Sequence, residues 1–115
     1  MASIMGFRTR AASRDQETDT ARFSRIDHQL RETAAEIGAE RAGLEKRRGT
    51  ASADAAFLLD AIGNEEVATR SSTRVGALTN ELVRGERRTV DLLRQLDLVS
   101  DLRAQVATFL NKMAR

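Results

Sequence analysis

Residues 44–54, LEKRRGTASAD, decide how this chain folds. Gly49 can take the left-handed conformation that ends a helix. Thr50 or Ser52 can then cap a following helix, with Asp54 just inside it. The stretch predicts a helical hairpin whose turn is Gly49–Ala53, about five residues long. Upstream, Phe23, Leu30, Ile37 and Leu44 recur at a strict spacing of seven. Ile26 adds the intervening position, which Thr33 and Glu40 then occupy, so the stripe is narrow, as in a coiled-coil seam. Ser13 and Gln16 match a capping box, and Asp15, Glu17 and Asp19 suit the positive end of a helix dipole. The first helix is therefore expected over 14–48, behind a basic, flexible tail at 1–13.

Downstream, one heptad register holds without insertion. One core position is Phe57, Asn64, Ser71, Leu78, Gly85, Leu92, Val99, Val106 and Met113. The other is Ala61, Ala68, Val75, Leu82, Thr89, Leu96, Arg103 and Leu110. The second helix is expected over 53–113, about 93 Å if unbroken, against about 50 Å for the first. A turn at 49–53 pairs 14–48 with 53–86 and leaves 87–114 uncovered. Leu92, Leu96, Val99, Arg103, Val106, Phe109, Leu110 and Met113 are thus the expected partner interface, for a second copy or another helical protein. Arg103, a charge in a core layer, either snorkels or fixes registry. Gly63-Asn64-Glu65-Glu66 is a second candidate break, and a break near Gly85 would instead give a three-helix bundle.

Composition points the same way. The 115 residues include no Pro, Cys, Trp or Tyr and only four Phe. Absent prolines favour long uninterrupted helices, and few aromatics disfavour sheets. The fold class expected is all-α, a long helical hairpin or coiled coil. Zero Cys excludes disulfides, thiolate zinc sites, iron–sulfur clusters and a cysteine nucleophile. No apolar run reaches the ~18 residues of a membrane span, and the N-terminus lacks an apolar signal core, so a cytoplasmic protein is the default expectation.

The net charge of +2 is uneven: residues 1–14 carry Arg8, Arg10 and Arg14 without an acid, leaving 16 − 17 = −1 for the remainder. A weak surface contact by residues 1–14 follows. Lys46-Arg47-Arg48 and Arg84, Arg87, Arg88 are further basic clusters, which a turn at 49–53 would hold apart. Without one basic stripe or aromatic platforms, nucleic acid is not the expected partner. His28 is the only histidine and makes no transition-metal site alone. No Ser-His-Asp arrangement or phosphate-cradling glycine loop is present, so neither catalysis nor a cofactor is expected.

Residues 102–113, Leu-Arg-Ala-Gln-Val-Ala-Thr-Phe-Leu-Asn-Lys-Met, resemble the closing segment of bacterial chemoreceptor (methyl-accepting chemotaxis) signalling domains. Those end in a helix with Leu-Arg, then Val, then Phe-Leu at the spacing of Leu102, Arg103, Val106, Phe109 and Leu110 here. The small and polar layers at Ala61, Ala68 and Ser71 and the Glu65-Glu66 pair are similar to a receptor's methylation helix. Ala61 and Thr69 fit its flanks, whereas Ile62 and Arg70 depart from them. The hairpin tip that engages kinase and adaptor in that family has no counterpart. The resemblance implies a chemotaxis-type signalling accessory. The residues themselves imply a non-enzymatic assembly or interaction module acting through its C-terminal amphipathic helix. An axial component of a flagellar or needle-like assembly is a further reading by general type.

Overall fold

The computed structural model describes residues 2–61 and 65–114, with side-chain surroundings for 10–61 and 69–114. Two helices make up the fold, α1 (Ala2–Ala61, 60 residues) and α2 (Glu65–Ala114, 50 residues), and no strand occurs among the described residues. The protein is an all-α helical hairpin, as the heptads and the missing prolines predict.

The turn does not fall at Gly49–Ala53. α1 runs through that stretch, and no described glycine adopts a positive φ. Three features carry the helix across it. The Thr50 hydroxyl donates to the Lys46 carbonyl at 3.2 Å, so its polarity is spent inside the helix. Ala51 lies seven residues after Leu44 and is buried, and Leu58 follows at seven again. The spacing of Phe23, Leu30, Ile37 and Leu44 therefore continues through the supposed turn. Phe57, read as the start of the second register, lies one residue off this seam and is 74% exposed. The second candidate break, at Gly63-Asn64, lies outside the described residues, between the end of α1 and the start of α2.

α1 also begins at Ala2, so the residues read as a tail are helical. The Gln16 amide, expected in an N-terminal capping box, instead donates to the Met113 carbonyl at 2.6 Å. It satisfies one of the carbonyls that the end of α2 leaves without a helical partner. The alternative break at Gly85 is absent. α2 continues through it, and the Thr89 hydroxyl donates to the Gly85 carbonyl at 2.9 Å.

The chain forms two compact units. One combines Met1–Ala35 with Asp97–Arg115, and the other is Glu36–Leu96. Within each, α1 and α2 pack antiparallel. In the first, Phe23 meets Phe109 with ring centroids 4.8 Å apart, and Asp27 lies 3.9 Å from Arg103. In the second, Glu40 meets Arg88 and Glu86 meets Arg48.

The α2 register predicted from sequence is the register observed. From Ser71 to Met113, every described residue that is not exposed belongs to one of the two heptad positions, and Arg103 alone of those positions is exposed. Burial is nevertheless thin. Among the described residues only Ala51, Ser71, Leu78, Leu92 and Val99 are buried, and only Leu92 is a fully buried large side chain, 1% exposed. Two helices cover each other's seam from one side, so most knobs stay half-exposed.

Candidate functional site

All the expected interface residues but Phe109 fall on the α2 seam, and that seam is turned toward α1. Leu92 and Val99 are buried, and Leu96, Val106, Leu110 and Met113 are half-buried. With α1 running to Ala61 and α2 beginning at Glu65, α1 is long enough to cover the C-terminal third. Residues 97–114 lie in one compact unit with the first 35 residues, and 87–96 lie in the other with Glu36–Ala61. The length mismatch that marked 87–114 as uncovered is thereby removed.

Arg103 keeps its seam position in the register, but its side chain is exposed. The guanidinium reaches Asp27, which also holds Arg31 at 3.0 Å. Replacing the pair by Asp27→Ala and Arg103→Leu is expected to raise stability by about 1 kcal/mol, because so exposed an ion pair contributes about 0–1 kcal/mol while a leucine at this seam position buries apolar surface worth about 1.5–3 kcal/mol when fully covered. Thermal denaturation checks this, and a lower melting temperature would make the pair a net stabiliser.

A second group of exposed apolar residues lies beside the seam. On α2, Leu98 (59% exposed), Leu102 and Phe109 (45% exposed) fall at i, i+4 and i+11, one helical face. A shallow depression of about 340 Å³ beside Phe109 is lined by Ala104, Gln105, Thr108 and Lys112. Leu98 and Leu102 are flanked by Asp97 and Asp101, neither of which forms an ion pair among the described residues. In the sequence, Phe109 stands out as an interface residue and Leu102 only through the chemoreceptor resemblance, whereas Leu98, which lies off the heptad, is passed over. The signal of the stripe was a surplus of large apolar residues beyond what the two seam positions absorb.

The second surface lies within Glu36–Leu96. A cavity of about 890 Å³ opens between the helices, floored by Leu44, Ala51, Ala77, Leu82, Gly85, Thr89 and Val90. Small residues at Ala51, Ala77 and Gly85 create it, since no atom lies within 4 Å of where a Gly85 Cβ would sit. Arg47, Arg48, Arg84 and Arg88 line it, with Glu45, Glu81 and Glu86 between them. Arg47 and Arg48 of one basic cluster and Arg84 and Arg88 of the other, expected to lie apart, are therefore brought together, because α1 continues to Ala61 and sets 44–51 opposite 77–90.

The arginines differ in how far they are committed. Arg88 grips Glu40 with two hydrogen bonds of 3.1 Å, and this contact raises its guanidinium above the ordinary arginine value, chiefly through the hydrogen bond. Arg48 lies 3.8 Å from Glu86 and 4.0 Å from Glu45. Arg47 donates to the Gly43 carbonyl of its own helix. Neither Arg47 nor Arg84 has a carboxylate within ion-pair distance among the described residues.

His28 is exposed and pairs with Glu32 at 3.0 Å along α1. No group of His, Asp and Glu side chains that could hold a metal occurs among the described residues, and none of their helices is long and apolar enough to cross a membrane. Compared with protein families, characterised proteins and solved structures, the chain matches none. The resemblance of residues 102–113 to chemoreceptor ends thus rests on those residues alone.

Proposed function

We propose that this chain is a non-enzymatic helical assembly module, whose working surface is the flank of the hairpin and not the seam. One observation carries the reading. The chain exposes 9129 Å², whereas a compact monomer of 12.7 kDa exposes about 6,200 Å². The surplus of about 2,900 Å² per chain is more than three times the ~800 Å² per partner of a standard interface. It includes the apolar stripe Leu98, Leu102 and Phe109, which costs solubility unless covered. A non-enzymatic role is supported by the chemistry of the groove: it is an open cleft between two helices lined by arginines and glutamates, with no histidine, serine or cysteine to act as base or nucleophile.

Assembly links stability to concentration. The melting temperature is expected to rise by about 3 °C for each tenfold increase in protein concentration, followed by circular dichroism at 222 nm over a hundredfold range. A melting temperature independent of concentration would reject self-assembly.

A further inference from the structure

We infer that one flank of the hairpin over Glu36–Leu96 packs on the same flank of a second copy, the two copies forming an antiparallel four-helix bundle. This rests on the assembly reading above and names its contact. The two flanks of this unit differ. The first holds the positions one and five residues after each seam residue, counted from Ile37 to Leu58 on α1 and from Ser71 to Leu92 on α2. The second holds the positions one before and three after. Arg48 reaches both Glu45 and Glu86 on the first flank, and Arg88 reaches Glu40 on the second. From Gly38 to Leu59 and from Ser72 to Leu93, the first flank has Glu45 and Glu86 as its only charged residues, and Arg48 stands beside both. The second flank has ten, so water suits it. Large apolar side chains divide the other way. Among the described residues of Glu36–Leu96, the exposed ones are Leu59, Val83, Val90 and Leu93 on the first flank and Phe57 alone on the second.

The register says what covers this flank. The pairs Glu40–Arg88 and Arg48–Glu86 fix how the helices stand against each other. On that register Leu93 is level with Gly38, Val90 with Ala42, and Leu59 with Ser72, so each large residue has a small one at its own level on the other helix. A two-fold axis parallel to the helices lays α2 of one copy over α1 of the other with levels unchanged. It therefore seats Leu93, Val90 and Leu59 of each copy on Gly38, Ala42 and Ser72 of the other. The space over Gly38 is open, with no atom within 4 Å of where its Cβ would sit. A second copy supplies both halves of this match at once, and its neighbouring helices all run antiparallel, as in an up-down bundle. The area is sufficient. Gly38 to Leu59 covers ~32 Å of helix, and two helices are ~20 Å wide. Their product, about 640 Å² in outline before side-chain relief, is on the scale of the ~800 Å² per partner of a standard interface.

The chain has no cysteine, which makes the contact open to crosslinking. Ala42→Cys and Val90→Cys are made in separate full-length chains, mixed in equal amounts and mildly oxidised. The mixture is expected to give at least about fivefold more disulfide-linked dimer than either variant alone, because like positions stand diagonally across the bundle, beyond the ~7 Å Cα separation a disulfide spans. In sedimentation velocity, Val90→Lys/Leu93→Lys is expected to associate at least about tenfold more weakly than wild type, since it buries two unpaired charges in the contact. Phe57→Lys, the same change on the second flank, should associate like wild type. These positions are exposed, so helicity is expected to hold, with Val90→Thr/Leu93→Gln used for the pair if it does not. A mixture no more crosslinked than its components, a Val90/Leu93 variant that associates like wild type, or a Phe57 variant weakened as much as that pair would overturn this contact while leaving assembly standing. A wild type that stays monomeric would overturn both.

Discussion

Leu92→Ala is expected to lower the free energy of unfolding by about 3 kcal/mol, the largest loss from any single truncation in this chain. Leu92 is the one large side chain fully withdrawn from water among the described residues. Truncating a buried leucine costs the transfer energy of the lost carbons plus that of the cavity left behind, about 2–5 kcal/mol together. Half-buried neighbours such as Leu96 and Leu110 lose less, because solvent already reaches them. Phe57→Ala supplies the contrast. Phe57 occupies the sequence register that places Leu92 in the core, yet it is 74% exposed, and its loss should cost under about 0.5 kcal/mol. Urea denaturation of both variants reads the difference. Equal losses would mean that the register starts at Phe57 and that the turn lies upstream of it.

The second large effect is a pair of opposite signs at Gly49. Gly49→Ala is expected to stabilise by about 0.5–1 kcal/mol, since glycine is a poor residue for a helix interior. No atom lies within 4 Å of the added Cβ, and the backbone there does not need a positive φ. Gly49→Pro is expected to destabilise by about 3 kcal/mol or more, because proline removes a helical hydrogen bond and clashes with the preceding turn. A turn at 49–53 predicts the reverse order. Alanine would be strained in a left-handed cap, and proline would be tolerated just beyond a helix end. Thermal melts of the two variants against wild type separate the two placements of the turn.

These two positions also show what the sequence made legible. The α2 register was readable because its signal is redundant: Leu78, Leu92, Val99, Val106 and Met113 share one spacing, and Val75, Leu82, Leu96 and Leu110 share the other. The turn was not readable from local signals. Gly49, Thr50 and Ser52 have the chemistry of a cap, but each is also tolerated inside a helix, Thr50 by bonding back to Lys46. The deciding evidence was long-range, namely Ala51 and Leu58 extending the seam of Leu44, and small residues such as Ala51 carry little weight in a hydrophobic pattern. One misplaced turn then moved every pairing. It left 87–114 without a partner on paper, and it separated two arginine clusters that line a single groove. Most of the flank stripe was missed for a different reason. Leu98 and Leu102 obey helical spacing on a face outside the two heptad positions, so a search for the seam passes over them, whereas Phe109 was named beside the seam and packs on Phe23.

The claim that the hairpin completes its burial in an assembly is tested most directly by sedimentation equilibrium of the wild-type chain, from about 1 to 200 µM at low salt. The account predicts a weight-average mass that rises with concentration from 12.7 kDa toward at least twice that value, with helicity rising in parallel. A mass fixed at that of one chain across the whole range, with full helicity at the lowest concentration, would contradict it.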